Sequence, residues 1–289
     1  MISGKTKVYG VIGDPIAHTM SPMMQNLYLE KTGNDGVYVA FHVKEENLGA
    51  MVAGASAMNV AGVNVTVPHK QHVMDFLRDL DRSAAAIGAV NTLVPVEGGY
   101  KGYNTDAAGL ARAMKEQGIS IRGQECILLG AGGAAKAAAY MLASEGAALV
   151  YVLNRSREKA VALSEDLNRL FGRKILVPMA LEDYHRLPKG SYLAIQSTSV
   201  GMAPHADQAL IEDPEFYQMI HTGVDIVYTP AETKFMRYVK EAGGKVMNGL
   251  DMLIYQGVIA YELWNPDRKI SEDTIEEARR LMKENLSKR

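Results

Sequence analysis

The chain has 289 residues, 47% hydrophobic and 22% charged, with a formal net charge of −2. That length admits two domains, and the charge balance argues against nucleic acid or an anionic membrane as the main partner. The single cysteine, Cys126, lies in an apolar run and has no partner for an internal disulfide.

The start MISGKTKVYGVIG lacks the apolar core and cleavage site of a secretory signal. No apolar run reaches the ~18 residues needed to span a bilayer. A cytoplasmic protein is expected. In chain order, the strand KVYGVIG precedes PIAHTMS, which carries His18, Thr19 and Ser21, and then the helical PMMQNLYLEKTG. VYVAFHV is followed by the helical ENLGAMVAGASAM. In GVNVTVPHK, Val63, Val65 and Val67 alternate with Asn64 and Thr66, the period of a strand with two distinct faces. Pro68 ends that strand, and Lys70 falls in the first turn of a helix expected over KQHVMDFLRDL. A lysine at a helix N-terminus costs about 0.3–1 kcal/mol, so its presence there asks for a reason.

Asn91 stands in the apolar run IGAVNTLV, NTLVPV and YKGYNT form a hairpin around EGG, and Asn104, Thr105 and Asp106 open the helix DAAGLARAMKEQG. The polar KEQGISIRGQE reads as the seam between two halves. From there CILLG, LVYVLN, KILVPM, YLAIQS, GVDIVY and KVMNG alternate with helical segments, as in parallel sheets built from βαβ units. The last two helical segments, LDMLIYQGVIAYELW and SEDTIEEARRLMKENLSK, have no strand between them. They are expected to pack across the junction or back onto the first half.

The strand–turn–helix ILLGAGGAAKAAAYML contains Gly130-x-Gly132-x-x-Ala135. Gly130 allows the tight turn, Gly132 lets a pyrophosphate approach the backbone, and the small Ala135 lets the helix pack close to its strand. The free N–H groups of the helix start suit phosphates. The next strand, LVYVLN, ends without the acid that accepts a ribose 2′-hydroxyl and runs into Asn154, Arg155 and Ser156, with Lys159 one turn on. Two cations suit a 2′-phosphate, so NADP is favoured over NAD. The plainer alternative is solvated surface charge neutralised by Glu158.

Lys70, Asn64 and Thr66 lie at a strand's carboxyl end, where open α/β sheets bind ligands. Ser21 and Asp106 are natural N-caps, but capping does not explain Lys70. Beside a hydride donor, an ammonium stabilises charge growing on a carbonyl oxygen and delivers the proton, and a carboxylate such as Asp106 orients it. Thr19 and Ser21 suit a substrate carboxylate. The residues thus point to reduction of a polyhydroxylated keto acid by NADPH.

In these segments the chain resembles the shikimate dehydrogenase family, including its quinate/shikimate branch. The likeness runs in register through GDPIAHTMSPMMQN, GVNVTVPHK, IGAVNT, GYNTDAAG, LLGAGGAAKA, NRSREKA, STSVGM, YTPAETK and NGLDMLIYQG. It implies a two-domain α/β fold. An N-terminal α/β substrate-binding domain over 1–107 is completed by C-terminal helices over 250–289 that pack back on it. A Rossmann-type doubly wound parallel sheet over 108–249 binds NADP, with NAD admitted. The implied reaction is reversible reduction of 3-dehydroshikimate to shikimate, a step of aromatic amino-acid (chorismate) biosynthesis.

By position, the resemblance makes Lys70 and Asp106 the catalytic pair. Thr19, Ser21, Asn64, Thr66, Asn91, Tyr228 and Gln256 become substrate-binding residues. Gly130, Ala131, Gly132, Gly133, Ala134, Asn154, Arg155, Ser156, Lys159, Thr198 and Gly249 fall to the cofactor. No metal is implied, the partners are small molecules, and a homodimer is left open. Two departures stand out. Thr19-Met20-Ser21-Pro22 replaces the usual Ser-x-Ser-Pro, leaving shikimate against quinate preference open, and His69 precedes Lys70 where Phe is frequent.

Three other readings compete. A methylenetetrahydrofolate dehydrogenase would need a Tyr-x-x-x-Lys that is missing. A non-catalytic nucleotide sensor would have no use for Lys70 and Asp106. A quinate/shikimate dehydrogenase using NAD or both cofactors stays as the main alternative.

Overall fold

The computed structural model describes residues 2–287. The chain forms two compact units: residues 2–109 with 254–287, and residues 110–253.

The first unit begins β1 (Lys7–Gly13), α1 (Ser21–Lys31), β2 (Gly36–His42), α2 (Leu48–Ala57) and β3 (Gly62–Val65). β4 (Asp79–Leu80), α3 (Arg82–Ile87), β5 (Thr92–Val96) and β6 (Gly99–Tyr103) follow, then α4 (Thr105–Glu116). The sheet order is β2-β1-β3-β5-β6-β4. Helical crossovers make β2, β1 and β3 parallel, whereas β5 pairs antiparallel with β3 and β6. The expected hairpin around EGG is β5–β6, with Gly98 in the left-handed region at φ 74°. Ile12, Val63, Val65, Val73, Leu93 and Tyr100 form part of the core.

The α-helix expected over KQHVMDFLRDL does not form. A short 3-10 turn spans His72–Phe76, and the chain then extends into β4. Its backbone groups bond to other elements instead: Arg78 N–H donates to the Tyr100 carbonyl at 2.9 Å and Asp81 N–H to the Gly102 carbonyl at 2.8 Å. Such tertiary partners satisfy the backbone as well as a helix would. Lys70 therefore sits in a turn, and the helix-terminus cost never arises. α3, in a stretch that showed no helical pattern, is capped by Asp81 and ends at Gly88 with φ 68°.

The second unit contains β7 (Glu125–Leu129), α5 (Gly133–Ser144), β8 (Leu149–Asn154), α6 (Arg157–Phe171), β9 (Leu176–Ala180) and β10 (Tyr192–Gln196). It continues with α7 (Pro214–Tyr217), β11 (Ile220–Asp225), α8 (Lys234–Glu241) and β12 (Lys245–Met247). All its strands pair in parallel, in the order β12-β11-β10-β7-β8-β9. Counted from β7, this is the doubly wound Rossmann order, with its switch point between β7 and β10. Cys126 on β7 is buried, and burial pushes its thiol up to about 12, which leaves it a packing residue.

Two helices close the chain, α9 (Leu250–Trp264) and α10 (Glu272–Leu286). The part of α9 from Ile254 onward and all of α10 belong to the first unit. The Trp264 ring lies where a Cβ on Gly62 would come within 2.4 Å, and its indole N–H donates to the Leu93 carbonyl at 2.9 Å. α10 is tied to α1 by the Lys31–Glu277 ion pair at 2.6 Å. Among the described residues no helix is long and apolar enough to cross a membrane.

Candidate active site

In the first sheet the strand order reverses between β1 and β3. The loop after β1 carries Thr19 and leads into Ser21 at the start of α1, and the loop after β3 carries Thr66 and Lys70. Such a crevice is where an open α/β sheet receives a ligand. The Lys70 turn is pinned because its carbonyl accepts the Val90 N–H at 2.7 Å. Its Nζ lies 2.6 Å from Asp106 Oδ2, with the two side chains 28% and 17% exposed.

Asp106 opens α4 without capping it. The cap is Asn104, whose Oδ1 accepts from the Asp106 and Ala107 N–H groups at 3.1 and 3.4 Å. Both Asp106 oxygens are thereby left for side chains, and Oδ1 accepts from Asn91 Nδ2 at 2.9 Å. Asn91 also donates to Thr105 Oγ1 at 3.0 Å, and its Oδ1 accepts from the Thr105 N–H at 2.8 Å and Thr92 Oγ1 at 3.0 Å. Asn64 Nδ2 donates to the Asn91 carbonyl and to Thr92 Oγ1, each at 3.1 Å. Its Oδ1 accepts from the Tyr38 hydroxyl at 2.7 Å. Thr105 Oγ1 reaches Gln256 Oε1 at 3.5 Å.

Lys70, Asp106, Asn91 and Asn64, chosen separately from the sequence, and Gln256, implied by the resemblance, thus belong to one hydrogen-bonded network. Sequence reasoning missed Tyr38 and Thr92 and gave Thr105 no role. Tyr38 is buried with burial raising its phenol well above the usual range, and Ser21 is its other side-chain partner. No local pattern in VYVAFHV marks it, since its partners come from β3 and α1.

Thr19 and Ser21 share a hydrogen bond between their hydroxyls at 3.2 Å. Ser21 is not the N-cap of α1: that position is Met20, which has no capping side chain. The capping readings of Ser21 and Asp106 are therefore corrected. Thr66 is half-buried at the end of β3, its N–H donating to the Ile12 carbonyl at 2.9 Å. His69 points away from solvent, fully buried, with Nε2 2.6 Å from the Val43 carbonyl. It braces the Lys70 turn against the segment after β2. Among the described residues no cluster of three or more His, Cys, Asp or Glu side chains could hold a metal ion.

In the second unit Gly130 has φ 116°, and a Cβ there would come within 2.8 Å of both Ser197 Oγ and Thr198 Cγ2. Gly132 and Gly133 face open space, Gly132 caps α5 without a side chain, and Ala135 is buried. Ala131 and Ala134 are half-buried beside them. This exposed helix start, free of Cβ atoms, fits a pyrophosphate.

After β8, Asn154 Nδ2 donates to the Ser156 carbonyl at 2.8 Å, and Ser156 caps α6 by accepting from the Lys159 N–H at 3.4 Å. Ser156 Oγ also donates to Glu158 at 2.8 Å, and Glu158 is held below the usual range by a backbone hydrogen bond and by Ser156. Glu158 thus spends its carboxylate on the cap, and Arg155 and Lys159 remain exposed. The Thr198 hydroxyl donates to Gln196 Oε1 at 2.8 Å. At Gly249 a Cβ would fall 2.0 Å from the Ile226 carbonyl oxygen, so glycine is needed there for backbone packing. Tyr228, three residues past β11, is half-buried.

Family profiles match three stretches. Residues 11–93 match the shikimate dehydrogenase substrate binding domain, 110–200 the shikimate / quinate 5-dehydrogenase, and 249–278 the shikimate 5′-dehydrogenase C-terminal domain. The chain is 44% identical to the shikimate dehydrogenase (NADP(+)) of Desulforamulus reducens, over 91% of each chain. It is 41% identical to that of Methanothermobacter thermautotrophicus, over 95% of this chain and 98% of that one. It also superposes with a TM-score of 0.82 at 36% identity on shikimate 5-dehydrogenase from Thermus thermophilus, solved in complex with NADP(H) and shikimate, covering 95% of this chain and 99% of that one. With this sequence likeness spanning both units, the chain belongs to the shikimate dehydrogenase family.

Proposed function

We propose that the chain catalyses the reversible NADP-dependent reduction of 3-dehydroshikimate to shikimate in the cytoplasm, with Lys70 and Asp106 as the proton-handling pair. The observation that carries this is the Lys70–Asp106 contact at 2.6 Å, backed on the other carboxylate oxygen by Asn91 at 2.9 Å. Bound NADP(H) supplies or accepts the hydride. Lys70 Nζ stabilises the negative charge on the substrate oxygen and passes it a proton, and takes the proton back in the oxidative direction. Asp106 keeps that nitrogen in place while Asn91 and Thr105 keep Asp106 in place.

Asn64, Asn91, Thr66 and Gln256 offer the amides and hydroxyl that a polyhydroxylated ring needs, and Ser21 with Thr19 would hold its carboxylate. On the other unit the Gly130–Ala134 turn would cradle the pyrophosphate, and Arg155 and Lys159 would hold the 2′-phosphate. Tyr228 is assigned to the substrate, and Thr198 and Gly249 to the cofactor side, by family position. The Thr19 methyl group bears on the carboxylate end of the pocket, where quinate differs from shikimate, so preference between the two alcohols is an outcome of the test.

The test is an initial-rate matrix of shikimate and quinate against NADP and NAD, followed by nicotinamide absorbance. Shikimate with NADP should give the highest kcat/KM. No turnover in any arm would overturn the reading.

A further inference from the structure

The second unit holds a buried polar network that the proton chemistry does not use. Gln196 ends β10 and is 1% exposed; Asp225, its register partner at the end of β11, is 0% exposed. Gln196 Oε1 accepts from the Thr198 N–H at 2.6 Å and the Thr198 hydroxyl at 2.8 Å. Its Nε2 donates to the Val200 carbonyl at 2.9 Å, with the Thr198 carbonyl at 3.3 Å and Asp225 Oδ1 at 3.4 Å. Asp225 is itself held by the Val227 N–H on Oδ1 at 2.9 Å and by the Thr233 hydroxyl on Oδ2 at 2.6 Å.

On the other flank, the Ser197 hydroxyl donates to the Leu129 carbonyl at 2.7 Å. Ser197 and Thr198 also fill the space a Cβ on Gly130 would need. The turn Ser197–Val200 is therefore tied to β7 and the glycine turn on one side and to Asp225 on the other, at the switch point of the sheet.

A buried amide and carboxylate carry a desolvation penalty that an apolar pair of similar size would avoid. What the polar pair adds is shape. One side chain satisfies the Thr198 N–H and the Val200 carbonyl, backbone groups that have left the strand and have no ladder partner. We propose that Gln196, oriented by Asp225, is a positioning residue that fixes the Ser197–Val200 turn against the Gly130 turn and so sets the grip on NADP(H). This rests on the assignment of those turns to the cofactor. Burial pushes the Asp225 carboxyl up to about 6 against three hydrogen bonds, from Gln196, Val227 and Thr233, whose geometry holds Gln196 in place.

The test uses full-length Gln196→Leu, Asp225→Ala and Asp225→Asn. NADP dissociation constants are measured by calorimetry, and initial rates with NADP and shikimate varied separately. Loss of the Gln196 bonds should raise the NADP Kd and KM about tenfold or more in Gln196→Leu and Asp225→Ala. The shikimate KM should stay within about threefold, and Asp225→Asn should restore NADP affinity because its Oδ1 still accepts from Val227 and Gln196. If Gln196→Leu does not fold, Gln196→Asn, one methylene short, carries the same expectation. A folded variant with unchanged NADP affinity, or equal losses in both KM values, would overturn the inference. A wild-type chain that oxidises shikimate without binding NADP would overturn the cofactor reading and this inference with it.

Discussion

Asp106→Asn isolates the electrostatic part of the proposed active site. Both oxygens of Asp106 face donors, Lys70 Nζ at 2.6 Å and Asn91 Nδ2 at 2.9 Å. An asparagine offers one acceptor oxygen and one donor NH2 group, so whichever way its amide turns, an N–H meets an N–H. Hydrogen bonds to charged groups contribute about 1.5–3 kcal/mol, so the hold on Lys70 should weaken roughly 10- to 150-fold. General acid–base groups supply about 10²–10⁴ in rate, and a misplaced lysine forfeits a large part of that. A fall in kcat of about 10²-fold or more is expected.

Stability should hardly move. The helix cap is Asn104, which the substitution leaves untouched, and the pair is open enough for water to relieve the mismatch. A loss near 1 kcal/mol lowers Tm by only about 2–4 °C in a chain of this size. The assay is the initial rate of shikimate oxidation beside a thermal melt of the same preparation. A folded Asp106→Asn with wild-type kcat would refute the pairing, and a steep fall in Tm with full activity in the folded fraction would return Asp106 to a purely structural role.

Lys70→Ala should lower kcat by at least ~10²-fold with a far smaller change in shikimate affinity; near-wild-type turnover in steady-state kinetics would sink the mechanism. Arg155→Ala should narrow the NADP/NAD preference about tenfold or more, since each 1.4 kcal/mol is a factor of ten, and an unchanged kcat/KM ratio would make Arg155 surface decoration. Ser21→Ala should weaken shikimate binding by about 1.5–3 kcal/mol, whereas Thr19→Ser should keep turnover and shift the shikimate/quinate ratio about tenfold, the span of one methyl group in a pocket; calorimetry and paired kinetics decide both. For Asp225 the folded carboxyl titrates at about 6, above the ordinary 3.8, so the folded chain binds this proton more tightly and stability falls as pH rises through that window. Asp225→Asn should therefore gain roughly 2 kcal/mol relative to wild type between about pH 4 and pH 7. Urea unfolding at the two pH values measures it, and a gap that does not change with pH would refute the buried charge.

Features that depend on neighbours along the chain could be read from residue order alone. The turn from Gly130 to Ala135 was legible because strand, glycines and helix are contiguous, and the strand–helix alternation of the second unit followed from apolar periods. Asn64, Asn91, Lys70 and Asp106 could be nominated one at a time as polar residues at strand ends. That they form one network is a product of the fold, because Lys70 and Asp106 stand 36 residues apart and their meeting depends on how β3, β5 and β6 pair.

The same cause explains the misreadings. The segment after Lys70 has helical periodicity, yet bonds to Tyr100 and Gly102 draw it into a turn and a strand. Asp106 and Ser21 resemble caps in sequence, but Asn104 takes the first cap, Met20 the second cap position, and Tyr38 engages the Ser21 hydroxyl. His69, unexplained beside Lys70, is a buried brace on Val43. A side chain's hydrogen-bonding capacity is written in its residue type, but the partner that uses it is chosen by packing between segments far apart in the chain.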